Sequence, residues 1–143
     1  RISVKREKLG LASGYIHSRL KPGDRIDVAA PRGTFFLADH DGPVILLSAG
    51  VGVTPVLAML HSLVGASTQR QVWWLHGARD SSEHAFAEES RMLLDRLPRR
   101  RSRIFYSRPA PADREGVDFT DRGRLSIEAV RALGLPLDAD AYL

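Results

Sequence analysis

The sequence predicts an α/β fold: a parallel sheet with flanking helices, preceded by the last strands of a small antiparallel β-barrel. From Pro43 onward, apolar strand-like runs alternate with helical patterns, and this alternation builds parallel sheets covered by helices. Before that point, short segments of alternating polarity are divided by proline and glycine, as in small barrels. The polar residues 38–42 separate the two patterns. We therefore predict one domain over residues 1–41 and a second over residues 42–143.

Composition excludes several classes of function. The 143 residues contain no cysteine, so disulfides, thiolate nucleophiles and cysteine-ligated clusters are excluded within the chain. This fits a reducing cytoplasm, and no metal site is predicted. No apolar run approaches the roughly 20 residues of a spanning helix, so no membrane partner is expected.

The charge pattern bears on possible partners. The formal charge of +4 suits an anionic cofactor or a nucleic acid. Much of the excess lies at residues 99–103, where a solvated helix exit leading into a strand explains it. A nucleic-acid surface usually adds aromatic stacking partners or a reading helix, and neither is evident. We therefore expect no nucleic-acid partner.

The first predicted domain is made of short strands. They are residues 1–6, 25–30 and 34–37. The break between the last two is at residues 31–33, where Pro31 and Gly33 interrupt the pattern. Phe35 and Phe36 are expected in the core.

A glycine-led segment follows the first strand. Ser13 is the predicted N-cap of a short helix over residues 14–20, on which His17 is expected at the surface. Free N–H groups at a helix start attract anions, and ordinary capping is the alternative explanation. The residues of this segment are Gly10, Leu11, Ala12 and Ser13.

The strongest signal in the chain is a buried strand, a glycine turn and a capped helix in direct succession. A continuous apolar run begins at Val44, and an apolar helix face follows the turn. Thr54 is the predicted N-cap and Pro55 the first helical residue, where its missing N–H costs nothing. Glycines let a phosphate approach the backbone, while the helix dipole favours its charge. The predicted site residues are Gly50, Val51, Gly52, Val53, Thr54 and Pro55.

Two further strand ends carry polar residues. Strands are predicted at residues 71–77, with Val72, Trp74 and Leu75 central, and at residues 102–106. Ligands of parallel sheets gather outside the carboxyl ends of the strands, where Arg79, Ser107 and Arg108 lie. A hydroxyl and a guanidinium suit a 2′-phosphate. The alternatives are an Arg79 ion pair with Asp80 or Glu83, and an Arg108 that faces water.

The remaining elements complete the sheet and its helices. One helix is predicted over residues 83–97, and a turn-rich connection over residues 118–125. Ser126 is the predicted N-cap of a helix over residues 127–133, which Gly134 ends. A last strand should begin within residues 137–143. Both ends interrupt strand-like patterns, so we expect a fragment of a longer protein.

Several of these segments resemble the ferredoxin–NADP reductase superfamily, and most closely the reductase part of flavohaemoglobins and of reductases fused to MOSC or iron–sulfur domains. The resemblance covers essentially the whole chain, in the expected order. Its segments are residues 10–13, 31–35, 50–55, 76–79 and 106–109. It implies a flavin domain that binds FAD at residues 10–13 and an α/β nucleotide-binding domain that binds NAD(P)H at residues 50–55. It also places Thr54, the predicted catalytic residue, nearest the nicotinamide.

The resemblance further implies an NAD(P)H-dependent flavin oxidoreductase. NAD(P)H would pass hydride to FAD, and electrons would continue to a haem or [2Fe-2S] acceptor outside this chain. The family motifs expected before Arg1 and after Leu143 are not in the sequence, so the chain alone is expected to bind FAD weakly. The alternative function is a non-catalytic nucleotide-binding or regulatory domain, or an inactive fragment of such a reductase. The choice between NADH and NADPH stays open.

Overall fold

The computed structural model describes residues 1–30 and 32–143 in two compact units, Arg1–Phe35 and Phe36–Leu143. Pro31, which was predicted to break a strand, lies outside the described residues. Among the described residues, no helix is long and apolar enough to cross a membrane.

In the described part of the first unit, one helix is formed, α1 (Leu11–Arg19). Its N-cap is Gly10, so the prediction that Ser13 caps this helix is wrong. Ser13 lies in the first turn, where its hydroxyl donates to the Gly10 carbonyl at 3.3 Å and accepts from the Glu7 amide at 3.2 Å. His17 is exposed, as predicted, and its Nε2 lies 2.7 Å from the Val4 carbonyl.

The strands predicted for the first domain are not formed. Among the described residues before Val44, none belongs to a strand, which overturns the predictions for residues 1–6, 25–30 and 34–37. The expected core positions Phe35 and Phe36 are 52% and 66% exposed. The physical reason is that a strand needs a neighbouring strand for its backbone hydrogen bonds, and the described residues supply none here. The antiparallel barrel is therefore not seen among residues 1–30 and 32–41.

The second unit is built on a five-stranded sheet with the order β4-β3-β2-β1-β5. All four pairings are parallel. The strands are β1 (Val44–Ala49), β2 (Val72–Ala78), β3 (Arg100–Tyr106), β4 (Asp121–Arg122) and β5 (Asp140–Tyr142). The predicted parallel sheet is thus confirmed, and the order places β1, β2 and β3 at its centre.

Three helices connect these strands: α2 (Val53–Gly65), α3 (Ala87–Asp95) and α4 (Ile127–Ala132). Helix α3 is shorter than predicted, because a 3₁₀ helix, Ser81–Glu83, and a left-handed Phe86 at φ 60° precede it. Helix α4 agrees with its prediction. The Ser126 hydroxyl accepts from the Ala129 amide at 3.2 Å, and Gly134 follows the helix with φ +60°.

Both faces of the sheet are buried, each by its own cluster of apolar side chains. On one face, α2 and α3 pack over the even-numbered residues of β1 and β2, including Leu46 and Trp74. On the other face lies a smaller cluster of Ile45, Trp73 and Leu75, against which Leu125 and Leu133 pack. Burial on both faces confirms β2 as a central strand and explains its continuous apolar sequence.

A buried arginine joins the segment before β1 to the last strand. Arg70 is 8% exposed. Its Nε donates to the Gly42 carbonyl at 2.6 Å, and its Nη2 donates to Asp140 Oδ2 at 2.9 Å. The Ala38 amide donates to the Tyr142 hydroxyl at 2.7 Å. These contacts fix residues 38–42 on the sheet.

Candidate functional site

The turn after β1 is an open cradle of backbone. Gly50–Gly52 forms a short 3₁₀ helix that runs directly into α2. Gly50 has φ +52°, a conformation that side chains disfavour. A Cβ atom added at Gly50 or Gly52 would meet no atom within 4 Å. The space over both glycines is therefore free for a ligand to approach the backbone.

The start of α2 differs from the prediction. The N-cap is Gly52, so Thr54 and Pro55 are the second and third helical residues rather than the cap and the first. The physical reason is that the 3₁₀ turn already begins the helical path: the Val53 N–H donates to the carbonyls of Gly50 and Val51. Pro55 is still harmless, because the first four N–H groups of a helix have no partner within it. Thr54 stays partly exposed at this helix start.

A second cluster lies where β2, β3 and β4 end. It surrounds a cavity of about 310 Å³. We call it the arginine cleft, and it is lined by Arg79, Ser107, Arg108, Gly123 and Arg124. The structure therefore brings together Arg79, Ser107 and Arg108, which were predicted at the ends of the second and third strands. It adds Gly123 and Arg124, which were not predicted.

Backbone hydrogen bonds shape the arginine cleft. The Ser107 amide donates to the Ala78 carbonyl at 3.0 Å, and the Arg108 amide donates to the Arg79 carbonyl at 2.8 Å. These bonds extend the pairing of β2 with β3 beyond the strands. On the other side, the Gly123 amide donates to the Tyr106 carbonyl at 2.9 Å. The cleft is thus built on rigid strand ends.

The charges in this cleft are predominantly positive. Arg79 pairs with Glu83 at 3.1 Å, as one alternative predicted, but both side chains are more than half exposed. An exposed pair of this kind contributes little, so an anion can compete for Arg79. Ser107 and Arg108 are exposed, and Arg124 adds a further guanidinium.

Sequence reasoning missed Gly123 and Arg124. Both were read as part of a turn-rich connection, because the two-residue strand β4 leaves no periodic signal. The pairing of Tyr106 with Arg122 carries the following residues to the cleft. The only signal in the sequence was the glycine at position 123, since glycine marks turns; in the structure it has φ +113°.

Buried histidines lie beneath the same edge of the sheet. The Ser48 hydroxyl is 2.9 Å from His76 Nδ1, and His76 stacks on His84 with ring centroids 4.7 Å apart. Burial lowers the pKa of His76 to about 4, with a further contribution from His84. Burial also lowers the pKa of His84 to about 4, helped by the Arg91 charge. Both rings are therefore neutral at pH 7, which lets them stack without repulsion.

The remaining predicted residues lie in the first unit. Leu11 and Ala12 are exposed at the start of α1, and Gly10 caps it. A Cβ atom at Gly10 would press against the Ser13 hydroxyl and the Glu7 side chain, which would have to shift to admit it. By helix geometry, the amides of this first turn lack partners within the helix. This segment offers donors, while the Ser13 hydroxyl already serves local bonds.

Fold and site together define a parallel α/β domain with a glycine turn after its first strand, the class that binds ligands at the carboxyl edge of its sheet. The family model of the oxidoreductase NAD-binding domain matches residues 46–134, and the chain belongs to this family. The chain is 42% identical to a flavohemoprotein of Bordetella pertussis over 147 residues. It is 44% identical to a flavohemoprotein of Deinococcus radiodurans over 142 residues.

These relatives are longer than the chain. The alignments cover 100% and 99% of this chain but only 37% and 35% of the two flavohemoproteins. The chain therefore spans little more than a third of the length of the curated relatives that it matches. The predicted relationship to the ferredoxin–NADP reductase superfamily, in its flavohaemoglobin form, is confirmed.

Solved structures show the same relationship. The flavohem-like FAD/NAD binding domain of a nitric oxide dioxygenase from Vibrio cholerae superposes with a TM-score of 0.80 at 32% identity, over 98% of this chain and 57% of that chain. A flavohemoglobin from Malassezia yamatoensis, solved with bound FAD and heme, gives a TM-score of 0.60 at 25% identity. That match covers 73% of this chain and 25% of the other.

Proposed function

We propose that the chain is the nicotinamide-nucleotide-binding part of an FAD-dependent NAD(P)H oxidoreductase. The observation that carries the proposal is the pair of clusters at the carboxyl edge of one sheet: the glycine turn after β1 and the arginine cleft after β3. The open backbone of the turn suits a pyrophosphate, since anions bind at helix starts. The cleft suits a second phosphate or the adenosine ribose, since guanidinium groups bind phosphate in pairs.

The residues present fit these roles to different degrees. Gly50, Val51, Gly52 and Val53 would hold the pyrophosphate, and Arg79, Ser107 and Arg108 the adenosine end. Arg124 is a further candidate at the adenosine end, supported by its place in the cleft. We infer that this arrangement favours NADPH over NADH, because a 2′-phosphate would add charge where the guanidinium groups gather.

For the flavin, we propose residues 10–13 as a pyrophosphate contact. The exposed first turn of α1 supports this, with amides that no helical carbonyl takes up. The domain division at residues 1–41 and 42–143, with the flavin domain first, belongs to the same proposal. FAD itself was found in the Malassezia yamatoensis relative.

When bound, the nicotinamide and the flavin would supply the redox chemistry of the proposed reaction, which is hydride transfer from NAD(P)H to FAD. The residues of the chain bind and orient the nucleotide. Thr54, partly exposed where α2 begins beside the glycine turn, would position the nicotinamide ring; Pro55 keeps the helix start rigid. The acceptor would be a haem or [2Fe-2S] group outside this chain, and the name flavohemoprotein of the relatives supports the haem. A cytoplasmic location stays a prediction.

Calorimetric titration of the chain with NADPH and with NADH tests the proposal. Gly52 is the sharpest position to change, because its φ of −62° suits any residue and a side chain there would enter only the open space. Gly52→Leu should fold and should lose at least tenfold in affinity for both nucleotides. Gly65→Leu is the matched control: Gly65 also faces open space but ends α2 away from the turn, so its affinity should stay that of the wild type.

A second variant separates the two ends of the nucleotide. Arg108→Ala should weaken NADPH binding by about tenfold, because it removes one charge-assisted hydrogen bond to the 2′-phosphate, which contributes roughly 1.5 kcal/mol. The affinity for NADH should stay nearly unchanged. No binding of either nucleotide at millimolar concentration by the folded chain would contradict the proposal. Equal losses in Gly52→Leu and Gly65→Leu would contradict the site within it.

A further inference from the structure

A column of buried polar side chains lies beneath the carboxyl edge of the sheet. It consists of Ser48 on β1, His76 on β2, His84 in the segment before α3 and Tyr106 on β3. Their exposed fractions are 5%, 0%, 8% and 1% in that order. Buried polar groups cost free energy unless they are paired, so their presence in a small core calls for a physical reason. We call this set the histidine column.

Contacts within the histidine column are continuous. Ser48 Oγ lies 2.9 Å from His76 Nδ1, and His76 stacks on His84 at an interplanar angle of 19°. His84 Nδ1 lies 3.0 Å from the Tyr106 hydroxyl. The Tyr106 ring stacks in turn on Phe119, with centroids 5.0 Å apart. The column therefore crosses the three central strands from β1 to β3.

Each end of the column adjoins one of the two proposed contact clusters. Ser48 stands two residues before Gly50 of the glycine turn. Tyr106 directly precedes Ser107, and its carbonyl accepts the Gly123 amide on the other wall of the arginine cleft. His84 lies in the middle of the column, where it stacks on His76 and contacts the Tyr106 hydroxyl. Because Arg79 is only five residues before His84, these contacts also hold the segment that carries Arg79 against the sheet.

Regular strand pairing ends before the glycine turn, and among the described residues on the side of the arginine cleft, only the Ser107 and Arg108 amides continue the pairing of β2 with β3. The pairing of β1 with β2 ends at Ala49 and Gly77, and that of β2 with β3 ends at Ala78 and Tyr106. Beyond these residues, the relative placement of the turn and the cleft depends on other contacts. A ligand that spans both clusters needs them at a fixed separation, because misplacement by even about 1 Å weakens such a site.

We propose that Ser48, His76, His84 and Tyr106 are positioning residues that hold the arginine cleft in a fixed place relative to the glycine turn. The pairs Ser48 Oγ–His76 Nδ1 and His84 Nδ1–Tyr106 hydroxyl favour the arrangement that keeps them formed over alternatives of similar packing, although His76 Nε2 is buried without a hydrogen-bond partner among the described residues. The consequence for nucleotide binding rests on the proposed function. The structural consequence, a rigid cleft, does not.

The test uses the smallest possible changes to the column. Tyr106→Phe keeps the ring stacked on Phe119 and removes the hydroxyl at His84; Ser48→Ala removes the hydroxyl at His76. The matched control is Ser90→Ala, which removes another buried hydroxyl, bonded to the Ala87 carbonyl at 3.0 Å, outside the column. Amide hydrogen exchange by NMR then reports how often the cleft opens in each chain, without any ligand.

Tyr106→Phe should accelerate exchange of the Arg108 and Gly123 amides about three- to tenfold, the range expected for one lost hydrogen bond. Ser90→Ala should leave both rates within twofold of the wild type. Affinity for NADPH should fall by a similar factor in Tyr106→Phe and in Ser48→Ala, but not in Ser90→Ala. If Tyr106→Phe fails to fold, the exchange rates of the Arg108 and Gly123 amides in Ser48→Ala decide the matter: faster exchange supports the positioning role, and rates within twofold of the wild type overturn it.

Unchanged exchange at Arg108 and Gly123 in Tyr106→Phe would overturn the positioning role, whatever happens to NADPH binding. Equal acceleration in Ser90→Ala would overturn it too, since the effect would then follow from general loosening. A third outcome combines two observations: the wild-type chain binds no NADPH, and amide exchange is faster in Tyr106→Phe. This outcome would support the positioning role and refute the proposed function. The two claims therefore fail separately.

Discussion

Gly50 and Gly52 look equivalent in the sequence, but they play different roles in the structure. Gly50 holds φ +52°, where only glycine is comfortable, so it is needed for the turn itself. Gly52 has an ordinary φ of −62° and faces open space, so nothing within the fold demands a glycine there. A ligand that approaches the backbone, as proposed, would account for the glycine at position 52, which is why Gly52 is the position changed in the binding test.

A stability measurement separates these roles. Gly50→Ala should lower the free energy of unfolding by about 1–2 kcal/mol, the cost of a left-handed conformation for a residue with a Cβ atom. Urea unfolding followed by circular dichroism measures the change. Gly65→Ala, at a glycine without positive φ, should be neutral or slightly stabilising. A neutral Gly50→Ala would show that the turn is not held as described.

The buried histidines make stability depend on pH in a defined window. The pKa of each falls from 6.5 to about 4 on folding, so the unfolded chain binds more protons between those values. Stability should therefore fall as pH is lowered from 6.5 towards 4, by about 1–2 kcal/mol per histidine at pH 5. Urea midpoints at pH 7, 6 and 5 measure this. His76→Gln should show a shallower decline, and an identical slope in both chains would contradict the burial of a neutral His76.

At the scale of elements, the central strands could be predicted and the peripheral ones could not. Strands β1 and β2 are buried on both faces, so their continuous apolar sequence was a direct signal. Strand β4 has two residues and leaves no pattern. The strand predictions before residue 38 were wrong because alternating polarity shows only that a segment could have one polar and one apolar face. A strand also needs a neighbouring strand for its backbone hydrogen bonds. The start of α3 failed because Phe86 adopts φ 60°, which no propensity indicates.

The residues of the candidate site also differ in how far the sequence could predict them. Arg79, Ser107 and Arg108 could be predicted together because each directly follows a recognisable strand. Arg124 could not, since its place depends on β4. The histidine column depends on side chains from different strands meeting in the core, which one-dimensional periodicity cannot express.

Arg70 is the contact that joins an irregular segment to a strand, and its loss should be costly. Arg70→Met would leave the Gly42 carbonyl and the partly buried Asp140 carboxylate without this partner, at a cost of about 2–4 kcal/mol. Arg100→Met is the matched change at an exposed pair, Arg100 with Asp95, and should cost under about 1 kcal/mol. Chemical denaturation of both variants provides the comparison. Similar costs for the two would mean that burial does not distinguish these pairs.

At the scale of the whole second unit, strand order explains why distant sequence positions can serve one ligand. The order β4-β3-β2-β1-β5 brings the turn at residues 50–52 and the cleft residues 107–108 and 123–124 to the same edge of the sheet. Parallel pairing makes all carboxyl ends point that way, so the polar residues of three connections gather there. The family relationship is consistent with this arrangement.

The central claim is that the glycine turn and the arginine cleft bind one dinucleotide together, and an NMR titration of the chain with NADP⁺ tests it most directly. At 15.8 kDa, the backbone amides of the chain can be followed individually. The claim predicts that the amides of Val51, Gly52 and Thr54 shift along one saturation curve with those of Ser107, Arg108 and Arg124. Shifts confined to one cluster, different saturation curves for the two, or shifts elsewhere in the sheet would contradict it.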